Sequence, residues 1–180
     1  LLGVWQYRNA SLAIAGLHVL SDNGFIACRE DALRDALVKA FIRGRFQLIR
    51  HEPLILLDGA HNPHAMIRLR ASIETFMYGM ELTLLLAVMR DKDIAKMTSI
   101  ICPIAHRIIV TRTQPFNRCA PPETLANHIR KCNCANSTCE TNINVIPNFE
   151  DALPLALETC ERNGVLCVTG SLYLVGSALK

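Results

Sequence analysis

The stretch Leu54-Ile-Leu-Leu-Asp-Gly-Ala-His-Asn-Pro-His-Ala65 decides how this chain is read. Its opening apolar run has the length and composition of a strand buried on both faces. The run passes straight into Asp58, Gly59, Ala60 and His61, after which Asn62-Pro63 supplies a helix N-cap and a proline at the first helical position. A buried strand that hands polar residues to a turn and then opens a helix is the first half of a parallel crossover unit.

The same alternation continues outward. Apolar runs at 46–49, 54–57, 82–88, 108–110, 145–146 and 165–168 predict strands. Helices are predicted at 63–77, 94–101, 122–131, 149–162 and 172–179, with Ser171 opening the last as Asn62 opens the first. The fold class expected is α/β, a mostly parallel sheet with flanking helices. Residues before Gly44 read differently: 9–20 is an Ala/Leu-rich helix, and 30–41 is a second with apolar residues at 33, 37, 38 and 41. A boundary is therefore expected between 1–43 and 44–180. Two helices cannot cover their own Ala/Leu faces, so 1–43 is expected to expose apolar surface and to aggregate in isolation.

Composition excludes several classes of function. At 180 residues, 51% hydrophobic and 19% charged, the chain is globular and large enough to bury a core. The formal charge of +3 comes from scattered Lys and Arg, without the basic stripe of a nucleic-acid binder. The longest apolar runs fall far short of the roughly 20 residues that span a bilayer, and Leu1-Leu-Gly-Val-Trp-Gln6 does not read as a targeting peptide. The first residue is Leu1, which leads to the expectation of a segment upstream. Cysteines total eight, of which Cys28, Cys102, Cys160 and Cys167 lie in apolar or amphipathic stretches, as free thiols in a reducing cytoplasm would. Cys132, Cys134 and Cys139 form a cluster in the polar segment 132–142, read as a loop, but C-x-C-x4-C matches no usual zinc spacing.

Ligand sites of open parallel sheets lie beyond the carboxyl ends of the strands. There the predicted strands deliver Asp58, Gly59, Ala60 and His61, then Met89 to Asp93, Thr111 and Arg112, and Thr169-Gly-Ser171. Each has a bland alternative role: a turn-capping carboxylate for Asp58, a helix cap for Asn62, a local hydrogen bond for His61, and charge at a helix start for Asp91 and Asp93. Neither G-x-G-x-x-G after a strand nor G-x-x-x-x-G-K-[ST] is present in the 180 residues, so a dinucleotide fingerprint and a P-loop are both missing from them.

Four motifs in order, Gly44-Arg-Phe-Gln47, Leu57-Asp-Gly-Ala-His-Asn-Pro-His-Ala65, Asp91-Lys-Asp93 and Val168-Thr-Gly-Ser-Leu-Tyr173, resemble those of folylpolyglutamate synthases and bifunctional dihydrofolate synthases of the Mur-ligase superfamily. Asn9-Ala-Ser-Leu-Ala is similar to that family's N-A-x-x-A helix, so the resemblance spans the chain. It implies a Rossmann-like Mur-ligase carboxyl-terminal domain over 44–180, preceded over 1–43 by the end of a central ATPase domain. It also implies an ATP-dependent ligase that joins L-glutamate to folate or dihydropteroate through an acyl phosphate. The P-loop and the Mg2+ ligands would belong to an amino-terminal domain, and the whole enzyme would be a cytoplasmic monomer.

Carried over by position, the resemblance assigns ATP contacts to Asn9, Arg45 and Asp58, and glutamate-site roles to His61 and Ser171. The sequence departs from the family pattern at Trp5-Gln6, where His-Gln is usual, and at Arg43, where Pro is common. The Cys132–Cys139 segment has no counterpart in it. Alternatives are another Mur-type amino-acid ligase, a non-catalytic ligand-binding module of the same fold, and a zinc-binding interaction protein built on Cys132, Cys134 and Cys139.

Overall fold

The computed structural model describes residue 3, residues 5–134 and residues 142–180, with the side chains of 132–134 set aside. The chain divides into two compact units, Leu1–Arg43 and Gly44–Lys180. The first contains α1 (Gln6–Asp22) and α2 (Glu30–Lys39), neither of which buries a residue. Tyr7, Leu12, Val19, Phe25, Val38 and Phe41 are all exposed, the apolar surface expected of an Ala/Leu-rich pair.

The second unit is built on a six-stranded sheet. Its elements in chain order are β1 (Gln47–His51), β2 (Leu54–Leu57), α3 (Pro63–Phe76), β3 (Leu82–Leu86), α4 (Ile94–Ile101), β4 (Arg107–Val110), α5 (Pro122–Cys134), β5 (Asn142–Val145), α6 (Phe149–Thr159), β6 (Val165–Thr169) and α7 (Leu172–Ala178). The spatial order is β1-β2-β6-β3-β4-β5. Only β1 is antiparallel; the other pairings are parallel, as the apolar runs imply.

Alternate residues of the central strands face opposite sides and build two cores. Leu56, Leu84, Leu86, Ile108, Val110 and Cys167 pack with Met66 and Leu69 of α3, Met97 of α4 and Leu125 and Ile129 of α5. Leu57, Leu85, Ile109, Leu166 and Val168 pack with Ala152 and Ala156 of α6 and Leu174 and Val175 of α7. The crossovers that step from β2 towards β5 thus lie on one face, and the single return crossover through α6 lies on the other. Reversing both direction and face preserves one hand of crossover, as parallel sheets require. Every residue of β3 and β6 is buried, including Thr83 and Thr169, and the Thr169 hydroxyl has no hydrogen-bond partner among the described residues.

Three expectations need correction. The strand expected at 145–146 is Asn142–Val145, an edge strand whose side chains alternate between exposed and half-buried; Asn142 and Asn144 interrupt the apolar run that marks interior strands. The helix expected over 122–131 continues to Cys134, so the segment read as a loop from Cys132 begins as helix. The first helix begins at Gln6 instead of Asn9. The metal reading of Cys132, Cys134 and Cys139 falls on thiols outside the described residues. Cys28, Cys102, Cys119, Cys160 and Cys167 are free, and burial pushes the thiols of Cys119, Cys160 and Cys167 up. Among the described residues no helix is long and apolar enough to cross a membrane, and no group of His, Cys, Asp and Glu is arranged to hold a metal ion.

Candidate active site at the carboxyl edge of the sheet

The strand order reverses at β6, which is inserted between β2 and β3 although it is last in the chain. The helix after β6 turns to one face while those after β2 and β3 turn to the other. A crevice opens where neighbouring strands part in this way, and ligands of open α/β sheets bind there. Its walls are the segments after β2, β6 and β3, which carry three of the four motifs.

After β2 the chain is tied down by Asp58. Its Oδ2 accepts the Phe46 N–H at 2.8 Å and its Oδ1 accepts the Ala60 N–H at 2.8 Å, while its own N–H donates to Val168 O at 3.1 Å. The Gly59 N–H donates to Gly44 O at 2.8 Å, and the Gly44 N–H donates to the Gln47 side chain at 2.8 Å. Because β1 is antiparallel, its amino end lies beside the carboxyl end of β2, so these bonds pin residues 44–46 to the crevice. Gly44 (φ 66°) and Phe46 (φ 46°) both occupy the left-handed region, and for Phe46 that costs about 1–2 kcal/mol. The strain is held by burial of Phe46 against Phe76, ring centroids 5.8 Å apart. Between these two anchors Arg45 is half-buried, and among the described residues it has no ion pair or hydrogen bond through its side chain.

Burial pushes the Asp58 carboxyl above its ordinary range, opposed by the two backbone N–H bonds and by the charges of Arg45 and His61. Those bonds occupy one lone pair on each oxygen, leaving acceptor capacity for a ligand. Asp58 is thus a turn-capping carboxylate, as the bland reading held, with acceptor sites to spare. His61 Nδ1 lies 2.8 Å from Gly59 O. A carbonyl can only accept, so Nδ1 carries the proton, and in the tautomer without a second proton Nε2 faces outward as an acceptor.

Other residues of the motifs act as caps. Asn62 Oδ1 accepts the Ala65 N–H at 2.8 Å and Asp93 Oδ1 accepts the Lys96 N–H at 3.0 Å. Ser171 Oγ accepts the Tyr173 N–H at 3.1 Å and is buried, which leaves its hydroxyl proton as the group it can offer. Gly170 before it has φ 99° and packs against the carbonyl of Ala87. Thr169 Oγ1 is buried on the same edge without a hydrogen-bond partner. Asp91 is exposed and paired with Lys92 at 2.8 Å, which holds its carboxyl below the usual range.

Arg45, Asp58 and His61 are therefore brought together by one network of backbone bonds, with Ser171 at the end of the adjoining strand. Asn9 belongs to the first unit: it is exposed on α1 and donates to the Gln6 side chain at 3.0 Å. Sequence reasoning missed the Phe46 N–H that fixes Asp58, because nothing in the string 44–47 reveals a partner twelve residues on. It also missed the docking of the 111–120 segment onto the 87–90 segment through an isolated bridge between Met89 and Cys119.

Comparison with known proteins agrees with this fold and extends it. Residues 44–172 match the family model described as "Mur ligase, glutamate ligase domain". The chain is similar to a probable bifunctional folylpolyglutamate synthase/dihydropteroate synthase of Haloferax volcanii, 30% identical over 178 residues, covering 99% of this chain and 20% of that protein. It is 27% identical over 180 residues to a dihydrofolate synthase/folylpolyglutamate synthase of Bacillus subtilis, covering 100% of this chain and 40% of that one. Among solved structures, a folylpolyglutamate synthase from Thermotoga maritima superposes with TM-score 0.72 at 31% identity, covering 97% of this chain and 37% of that chain. One from Mycobacterium tuberculosis complexed with ADP gives TM-score 0.84 at 24% identity, covering 99% of this chain and 40% of that chain. The chain thus spans less than half the length of the relatives it matches.

Proposed function

The chain belongs to the Mur ligase glutamate ligase domain family, and from that premise we propose that it is the carboxyl-terminal part of an ATP-dependent ligase joining L-glutamate to folate or dihydropteroate. The observation that carries this reading is the network around Asp58, which holds Arg45 and His61 on one wall of the crevice. The names of the Haloferax and Bacillus relatives support the folate class, and the ADP in the Mycobacterium structure supports nucleotide binding.

ATP supplies the phosphoryl group that converts a substrate carboxylate to an acyl phosphate, from which the glutamate amine displaces inorganic phosphate. The chain's own residues serve that reaction by binding and orientation. Arg45 is a half-buried guanidinium, without a hydrogen bond or ion pair among the described residues, on a loop pinned by backbone bonds, and it suits phosphate oxygens, which its planar fork binds in pairs. Asp58 holds that loop and keeps acceptor sites for ribose hydroxyls. His61 Nε2 can accept a proton from the glutamate ammonium, and the Ser171 hydroxyl proton can donate to a carboxylate at the neighbouring strand end. Asn9 serves the adenine side from the first unit, which this reading takes as the end of a central ATPase domain. Mg2+ is assigned to the domain that carries the P-loop, and the whole enzyme to the cytoplasm as a monomer.

The test is a chimera in which residues 44–180 replace the corresponding part of the Bacillus subtilis relative, assayed for ATP-dependent incorporation of labelled L-glutamate into dihydropteroate and into tetrahydrofolate. Incorporation into either supports the reading and identifies the acceptor. A folded chimera that binds ATP but incorporates nothing would leave a ligand-binding module as the better description.

A further inference from the structure

Several arginines of the second unit and of the first are neutralised by neighbours. Arg29, Arg34, Arg70, Arg107, Arg130 and Arg162 each pair with a carboxylate. At the carboxyl edge, Arg90 leaves β3 and, among the described residues, its side chain donates to the carbonyl of Cys119 alone, through Nε at 3.4 Å and Nη2 at 3.3 Å. Arg112 leaves β4, lies 5.1 Å from the centroid of the Phe116 ring and reaches Phe116 O at 3.4 Å. Its Nε is buried and has no hydrogen-bond partner. Arg118 is exposed and, among the described residues, has no hydrogen bond or ion pair through its side chain.

These guanidiniums sit on one platform. The Arg90 N–H donates to Arg118 O at 2.8 Å, the Ala120 N–H donates to Val88 O at 2.9 Å, and Met89 bridges Cys119. The base of the 111–120 segment is fixed by the Arg112 N–H on Pro147 O at 3.2 Å and by Thr113 Oγ1 against Ser177 Oγ at 3.4 Å. Asp91, the nearest acidic side chain in sequence, is exposed, paired first with Lys92, and only weakly within the field of Arg118. Long, marginal bonds to carbonyls and an orphaned buried donor leave this cluster short of negative charge, and a carboxylate is the partner that guanidinium forks match best.

We infer that Arg90, Arg112 and Arg118 form a carboxylate-receiving cluster that selects a doubly charged amino acid over a neutral one. The inference rests on the reading above, which supplies the amino dicarboxylate. In the strand order β2-β6-β3-β4, Arg90 and Arg112 leave strands two and three places from Asp58, about 10 and 14 Å at ordinary strand spacing. An amino acid whose amine lies near His61 spans that interval with its side chain and one extended arginine. A glutamine in the same place would present a neutral amide and leave the cluster unpaired.

The test is a nucleotide-free NMR titration of the 180-residue chain with glutarate, following the arginine Nε–H signals. The expected result is saturable movement of the Arg112 Nε–H signal, absent with the neutral diamide of glutarate. Arg112→Gln and Arg118→Gln should each weaken binding at least tenfold, Arg112→Lys should retain part of it, and Arg130→Gln should bind as wild type. Amide spectra of each variant establish that it is folded. No saturable movement in the wild type, equal binding of the diamide, or wild-type affinity in both Gln variants would overturn the inference. Glutamate incorporation by the Bacillus chimera, measured in parallel, separates the two proposals: no incorporation with glutarate binding intact would count against the ligase reading alone.

Discussion

Replacing Gly170 by Ala should destabilise the second unit severely, whereas the same change at Gly176 should not. A Cβ at residue 170 would lie 2.5 Å from Ala87 O, 2.8 Å from Leu86 Cδ1 and 3.2 Å from Ala87 C, on a backbone with φ 99°. A residue held in so sparse a region costs about 1–3 kcal/mol, and overpacking a closed core costs about 1–3 kcal/mol more. The colliding oxygen is backbone, so relief would require β6 to separate from β3, stretching the Ala87 N–H bond to Thr169 O that already measures 3.4 Å. The expected loss is about 2–6 kcal/mol, a large part of the 5–15 kcal/mol that typically holds a domain. At Gly176, inside α7, a Cβ would meet nothing within 4 Å, and helix propensity favours Ala by up to about 1 kcal/mol. Urea unfolding should be followed by far-UV circular dichroism and by hydrogen exchange of the β3 and β6 amides, because the single tryptophan, Trp5, reports on the first unit. A Gly170→Ala protein as stable as wild type, or two variants equally damaged, would refute the crowding argument and with it the fixed position of Ser171.

Asn62→Ala removes the acceptor for the Ala65 N–H and should cost about 0.5–2 kcal/mol by urea unfolding; no loss would mean that the cap bond contributes nothing. Asp58→Asn leaves one of two backbone donors facing an NH2 group and should cost about 1–3 kcal/mol. Its pH dependence has a definite sign. Burial raises the Asp58 pKa, so the folded state keeps a proton that the unfolded chain has released, and the contribution of Asp58 to stability falls as pH rises from the ordinary carboxylate range through the raised value. The stability difference between wild type and Asp58→Asn should therefore be largest at low pH; a difference that grows with pH would contradict the burial assignment. Removing 1–43 should not prevent 44–180 from folding, since the two cores draw on the second unit alone; loss of dispersed amide NMR signals in 44–180 would show otherwise.

The parts of the fold that were legible in the sequence are those in which burial leaves a continuous apolar run. Leu54–Leu57, Leu82–Leu86 and Val165–Thr169 are buried on two faces, so their composition announces them. Asn142–Val145 is an edge strand with a polar alternate set, and its apolar signal shrank to Val145. The insertion of β6 between β2 and β3 is a long-range choice that no local pattern encodes. At the site, Asn62 and Ser171 were readable as caps because capping needs only neighbouring residues. The clamp on Asp58 was not, because it joins β2 to the start of an antiparallel strand, and the Arg90–Arg118 platform was not, because it joins two segments across the edge of the sheet. Resemblance singled out Asp58 and His61, and the structure separates what each does: Asp58 fixes the loop that carries Arg45, while His61 is oriented by Gly59 with Nε2 left free.

The most direct test of the central claim, that this sheet edge forms one wall of an ATP and glutamate site, is the steady-state kinetics of the Arg45→Ala variant in the Bacillus chimera. The account predicts a KM for ATP raised at least tenfold while the KM for L-glutamate stays within about twofold, since losing a charged hydrogen bond of about 1.5–3 kcal/mol corresponds to one to two orders of magnitude. Unchanged kinetics for both substrates would contradict it.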